Sequence, residues 1–168
     1  MARSRLLALL LSLPALLGVA LVAAPQAGAR TSLDAVAASL RTNPVYNDPT
    51  AENALTSSQA SDLSAQIQAT GVPIYIAVLP QSAATENGGP DQLLVNLRNA
   101  VGRNGVYAIV AGNSFRAGST SGTVKDIAND AMSSQQANGP YAVLSTFVTG
   151  VGDRFGSGGG GSSGGSSG

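Results

Sequence analysis

Two of the residue types that most often do chemistry are missing from this chain. Histidine and cysteine do not occur among its 168 residues. Their absence removes Ser-His-Asp and Cys-His catalysis, imidazole bases, disulfides and ordinary zinc sites together. A serine–lysine pair would rest on Lys125, the sole lysine. No G-x-S-x-G or S-x-x-K context supports it within residues 30–155. No G-x-x-x-x-G-K occurs, so no nucleoside triphosphate is expected. Carboxylates offer two pairs at i,i+4 spacing, Asp48 with Glu52 and Asp126 with Asp130. A hard cation wants six to eight oxygens from a loop dense in Asp and Asn, which neither pair provides. They read as solvated surface, and no cofactor is expected from the residues themselves. A third set is Asn113, Ser114, Arg116, Ser119 and Thr120, with Ser121 beside them. These could gather round a small anion at a helix N-terminus, provided the fold brings them together. The plainer reading is a glycine-rich connection with one surface arginine.

The elements that must position these groups follow from apolar patterning. Ile74 to Leu79 is an unbroken apolar run closed by Pro73 and Pro80, and Val106 to Ala111 is a second. Runs of this kind read as strands covered on both faces. A helix between them makes a βαβ unit. The fold class is therefore α/β, a central and mostly parallel sheet sandwiched between helices. Gly112-Asn113 suits a tight turn, after which 114–117 run back as a short antiparallel extension. In such sheets ligands bind beyond the carboxyl ends of the parallel strands. Here those ends lead into 81–89, read as a polar loop, and into 112–122.

Thr31 with Asp34 reads as a cap for a helix carrying Leu33, Val36, Ala37 and Leu40, stopped by Asn43-Pro44. Val45-Tyr46 fits a short edge strand. Thr56 with Gln59 forms a capping box for a helix bearing Ala60, Leu63 and Ile67, ended by Gly71. Gly89-Pro90 opens an amphipathic helix with Leu93, Leu94, Leu97, Ala100 and Val101. Val124, Ile127, Ala128 and Ala131 mark another. Gly139-Pro140 starts the last, with Tyr141, Leu144, Phe147, Val148, Val151 and Phe155 in period.

Three segments are read. Residues 1–29 form a secretory signal: Arg3 and Arg5, an apolar stretch from Leu6 to Val22, then Ala27-Gly28-Ala29 as a cleavage site. An uncleaved anchor is the alternative. Residues 30–155 form one α/β domain. Residues 156–168 are glycine and serine only, a flexible tail whose G-x-G-x-x-G match has neither a strand before it nor a helix after it. Nine basic residues balance nine acidic ones, and removal of Arg3 and Arg5 with the leader brings the net charge to −2. No basic run is present, so no nucleic-acid partner is expected.

Val45-Tyr46-x-Asp48, Leu55-Thr56 opening a helix, Ile74-Tyr75-Ile76-Ala77-Val78, and above all Val101-Gly102-Arg103-Asn104-Gly105 before an apolar strand resemble the TPM domain family. The likeness runs from residue 45 to about residue 150. It implies an extracytoplasmic α/β sandwich near a membrane, often behind a signal peptide and ahead of a glycine-rich tail or a membrane span. An acid phosphatase activity attributed to a plant thylakoid member and calcium binding by some relatives come with it as implications, with no catalytic residue assigned here. The alanine-rich, lysine-poor composition suggests an actinobacterial source. The expected function is a non-catalytic interaction module of the cell envelope, a monomer whose partner is an envelope or membrane protein. The alternative is a phosphatase-like hydrolase in which Arg116 and nearby hydroxyls hold phosphate and Glu86 or Asp126 activates water.

Overall fold

A computed structural model describes residues 32–156. Residues 1–31, which include the expected leader and the Thr31 cap, and the glycine–serine tract after Gly156 lie outside the described residues. The elements run α1 (Leu33–Leu40), β1 (Val45–Asn47), α2 (Ser57–Thr70), β2 (Ile74–Leu79), α3 (Gln81–Glu86), α4 (Pro90–Val101), β3 (Val106–Ala111), β4 (Ser114–Ser119), α5 (Lys125–Gln135), a 3-10 turn (Gln136–Asn138) and α6 (Pro140–Phe155).

The two apolar runs become the centre of a four-stranded sheet in the order β1-β2-β3-β4. β1, β2 and β3 are parallel, with Val45 beside Ile76 and Ile74 beside Val106. β4 returns antiparallel, pairing Ala111 with Ser114 and Val106 with Ser119. Every residue of β2 and β3 is buried, because alternate side chains enter different layers. Ile74, Ile76, Val78, Val106, Ala108 and Val110 pack with α2, α5 and α6. Tyr75, Ala77, Leu79, Tyr107, Ile109 and Ala111 pack with α1, α3 and α4. The α/β sandwich expected from the sequence is thus present as helix, sheet and helix layers.

The crossovers β1–α2–β2 and β2–α3–α4–β3 step along the sheet in the same direction, yet their helices lie on opposite faces. The two connections therefore have opposite hands. One departs from the right-handed rule that about 98% of such crossovers obey.

The Thr56–Gln59 capping box forms in full, and Gly102 closes α4 in the left-handed conformation. Three local expectations are corrected. The first helix takes Ser32 as its N-cap, without a side-chain cap bond. β4 is longer than 114–117 and takes in Gly118 and Ser119. Residues 81–86, read as loop, form the helix α3. Six residues are too few to show a period, but Ala83 and Ala84 are buried. The α3 N-terminus receives the Glu52 carboxylate, which accepts from the Gln81 N–H at 3.0 Å.

Candidate functional site

The loop between β1 and α2 lies across the carboxyl ends of the parallel strands, and polar side chains fasten it there. The Asp48 N–H donates to Val78 O at 2.9 Å. Asp48, expected at the solvated surface, is instead buried because the loop folds over the strand ends, and its Oδ1 accepts from the Thr50 N–H at 2.9 Å and the Thr50 hydroxyl at 2.6 Å, a local turn that offsets the cost of burying the charge. Its charge adds to burial in raising the Tyr46 phenol above its ordinary pKa. Asn47 exchanges two bonds with the Leu55 backbone, both 2.8 Å. Asn53 donates from Nδ2 to Gly112 O at 2.7 Å, tying the loop to the β3–β4 turn. That turn is Gly112-Asn113, as its residue types suit: Gly112 has φ 53°, which residues with a side chain rarely adopt, and a Cβ there would displace the Gln81 side chain.

Beside the turn, on the α5–α6 side of the sheet, is a cleft of about 330 Å³. Its apolar wall is Val110, Phe115, Met132 and Val143; Asn53, Asn113, Ser114 and Gln136 supply the polar groups, and no charged residue lines it. Phe115 is held in place edge-on to Phe147, with ring centroids 5.5 Å apart. Carboxamides donate and accept at once, so this rim can pair with peptide-like groups. Met132 contributes an adaptable apolar surface.

The structure divides the five residues expected to gather round an anion. Asn113 and Ser114 line the cleft at the carboxyl edge. Ser119 and Thr120 are at the amino edge, where Ser119 pairs with Val106 and the Thr120 Oγ1 accepts from the Gly105 N–H at 2.9 Å. Five steps along a strand separate Ser114 from Ser119, roughly 17 Å. Arg116 projects from the other face to Asp91, with Nε to Oδ1 at 2.8 Å, while its Nη1 donates to Phe115 O at 2.9 Å. Asn53, Met132 and Gln136 escaped the sequence reading. Asn53 sits in a loop whose path depends on Gly112, and α5 brings Met132 and Gln136 only by running back along the sheet.

The carboxylate pairs do not converge. Asp48 turns to Thr50 and Glu52 to the α3 N-terminus. Asp126 meets Arg154 at 2.7 Å, and that hydrogen bond holds its carboxyl below the usual range. Among the described residues no three His, Cys, Asp or Glu side chains gather as metal ligands, and no helix is long and apolar enough to cross a membrane. No family model, curated protein or solved structure matches this chain.

Proposed function

We propose that this chain is a non-catalytic interaction module of the TPM kind, working outside the cytoplasmic membrane in a cell envelope. Its protein partner enters the cleft beside the β3–β4 turn. One observation carries this reading: the cleft is lined by carboxamides, a hydroxyl and apolar side chains alone, while Asp48, Glu52 and Arg116 nearby are each bound to other groups of the fold. Such a lining suits an uncharged stretch of polypeptide, whose amides replace water on Asn113 and Gln136 and whose apolar side chain meets Phe115 and Met132.

The phosphatase alternative lacks an assembled set of groups. Arg116 is turned to Asp91 on the face of the sheet away from Asn113 and Ser114, Asp126 is held by Arg154 at the amino edge, and Glu86, at the end of α3, forms no ion pair with Arg116. Hydrolysis needs a base or metal within reach of the bound ester.

The test is photo-crosslinking from position 113 or 136 in the native envelope, with mass spectrometry of the adducts. A single reproducible partner, lost in Met132→Glu while the circular dichroism is kept, is the expected result. Absence of any specific adduct from both positions, or phosphate-ester turnover that Arg116→Ala abolishes, would overturn the reading.

A further inference from the structure

The formal charges nearly cancel in number, yet they are sorted in space. α1 and α4 each run into a parallel strand through a short turn, so their last residues lie at the amino edge of the sheet. This puts Arg41, Arg98 and Arg103 there. β4 descends to the same edge, where α5 begins with Lys125, and α6 ends there with Arg154 and Phe155. Arg41, Arg103, Lys125 and Arg154 are exposed, and Arg98 is half-buried. Against them at this edge, among the described residues, stand Asp126, which is paired with Arg154, Asp153, and Asp130, which lines one hollow with Asp153 and Arg154, so five cations face three acids. Asp34, Asp48, Glu52, Glu86 and Asp91 belong to the opposite, carboxyl edge, and Asp62 lies midway along α2. Arg116 is the only described cation away from the amino edge.

The amino edge also has a built concave part. Arg41 donates to Ala100 O and Val101 O at the end of α4, and Arg103 Nη1 donates to Arg41 O at 2.8 Å. The two side chains line one hollow of about 290 Å³ with Thr42, Asn43 and Tyr75. Each guanidinium keeps further N–H groups for an outside acceptor. Phe155 is 40% exposed, one of only two large apolar side chains so exposed among the described residues. It extends from the end of α6 beside Arg154.

We infer that the amino edge of the sheet is a membrane-docking surface: Arg41, Arg98, Arg103 and Lys125 face the phosphates of anionic phospholipids, and Phe155 enters the headgroup layer. Charge complementarity selects this occupant, because a flat array of phosphates matches cations spread over one edge of the sheet. An exposed aromatic beside cations is what an interfacial surface uses and what a soluble anion would leave idle. The carboxyl-edge acids would point away from the bilayer, so the field of the whole molecule orients it on approach. The cleft beside Asn113 would then face outward. This inference stands on charge and topology, and it survives if the cleft proves to bind nothing.

The chain has no tryptophan, so Phe155→Trp in the full chain gives a single reporter at the surface in question. With vesicles containing phosphatidylglycerol, its emission should shift to the blue, and added salt should reverse the shift. Vesicles of phosphatidylcholine alone should leave it unchanged. Adding Arg98→Glu and Lys125→Glu should weaken binding at least about 25-fold, since each cation near an anionic surface contributes about fivefold. Among the described residues neither side chain makes a hydrogen bond or an ion pair, so this variant should remain folded. Arg98→Lys should keep the binding. An unshifted emission, a shift equal on neutral vesicles, or undiminished affinity in the charge-reversed protein would overturn the proposal. Because the leader is common to all variants, its own lipid affinity cancels from the comparison.

Discussion

At the scale of single residues, the groups able to do chemistry serve the fold. Tyr107 is fully buried, stacks on Tyr75 at 4.9 Å, and donates its hydroxyl to Arg103 O at 2.6 Å. Burial raises its pKa above the ordinary 10.0, outweighing the lowering effect of that hydrogen bond and of nearby arginines. A raised folded value means that stability is full below pH 10 and is lost as the pH rises through the folded pKa, since the unfolded chain ionises first. Tyr107→Phe should flatten that alkaline loss in urea titrations, at a cost of about 0.5–1.5 kcal/mol near neutrality from the lost bond. Gly105, part of the Asn-Gly pattern that suggested a family resemblance, has a packing reason for its identity. A Cβ there would come within 2.5 Å of Pro73 O and 2.9 Å of the Tyr75 ring. Gly105→Ala should destabilise by roughly 1–3 kcal/mol, read as a lower urea midpoint with an unchanged slope. The pattern was legible in the sequence; its cause was not, because Pro73 lies far from Gly105 along the chain.

At the scale of elements, legibility follows how local the determining signal is. The α2 capping box is complete within four residues, Thr56 to Gln59, and it forms as read. Thr56→Ala should cost about 1 kcal/mol and speed amide exchange in the first turn of α2. The Gly112-Asn113 turn is equally local and equally legible. α3 is the opposite case. Gln81–Glu86 has neither length nor period, and its helix rests on Ala83 and Ala84 packing beneath α4 and on Glu52 from a distant loop. Glu52→Gln should therefore loosen α3 selectively, seen as faster amide exchange over residues 81–86, because a carboxylate at a helix N-terminus is worth roughly 0.3–1 kcal/mol. The candidate site divides the same way. Of the residues chosen by strand topology and a helix N-terminus, Asn113 and Ser114 lie at the carboxyl edge, whereas Ser119 and Thr120 lie at the other because β4 runs on to Ser119.

At the scale of the whole molecule, two cores share one sheet. β2 and β3 send alternate residues into both layers, so neither layer can melt without exposing the other. Phe147→Ala beneath α6 should cost about 3–5 kcal/mol and Leu93→Ala beneath α4 about 2–5 kcal/mol. Both should lower one common transition, followed by circular dichroism and by tyrosine fluorescence. Two separate transitions would contradict a shared core.

By itself the sequence determined the two central strands, the period and ends of most helices, the tight turn, and the exclusion of imidazole and thiol chemistry. Each of these is settled by residue type or by side chains within one helical turn or one strand. Only the tertiary structure decided which face each crossover takes, which backbone donors the carboxylates meet, and how the charges sort between the two edges of the sheet. Those outcomes depend on which distant segments pack together. A near-zero count of charge could not reveal that all described cations but Arg116 share one edge with an exposed phenylalanine while a neutral cleft opens at the other.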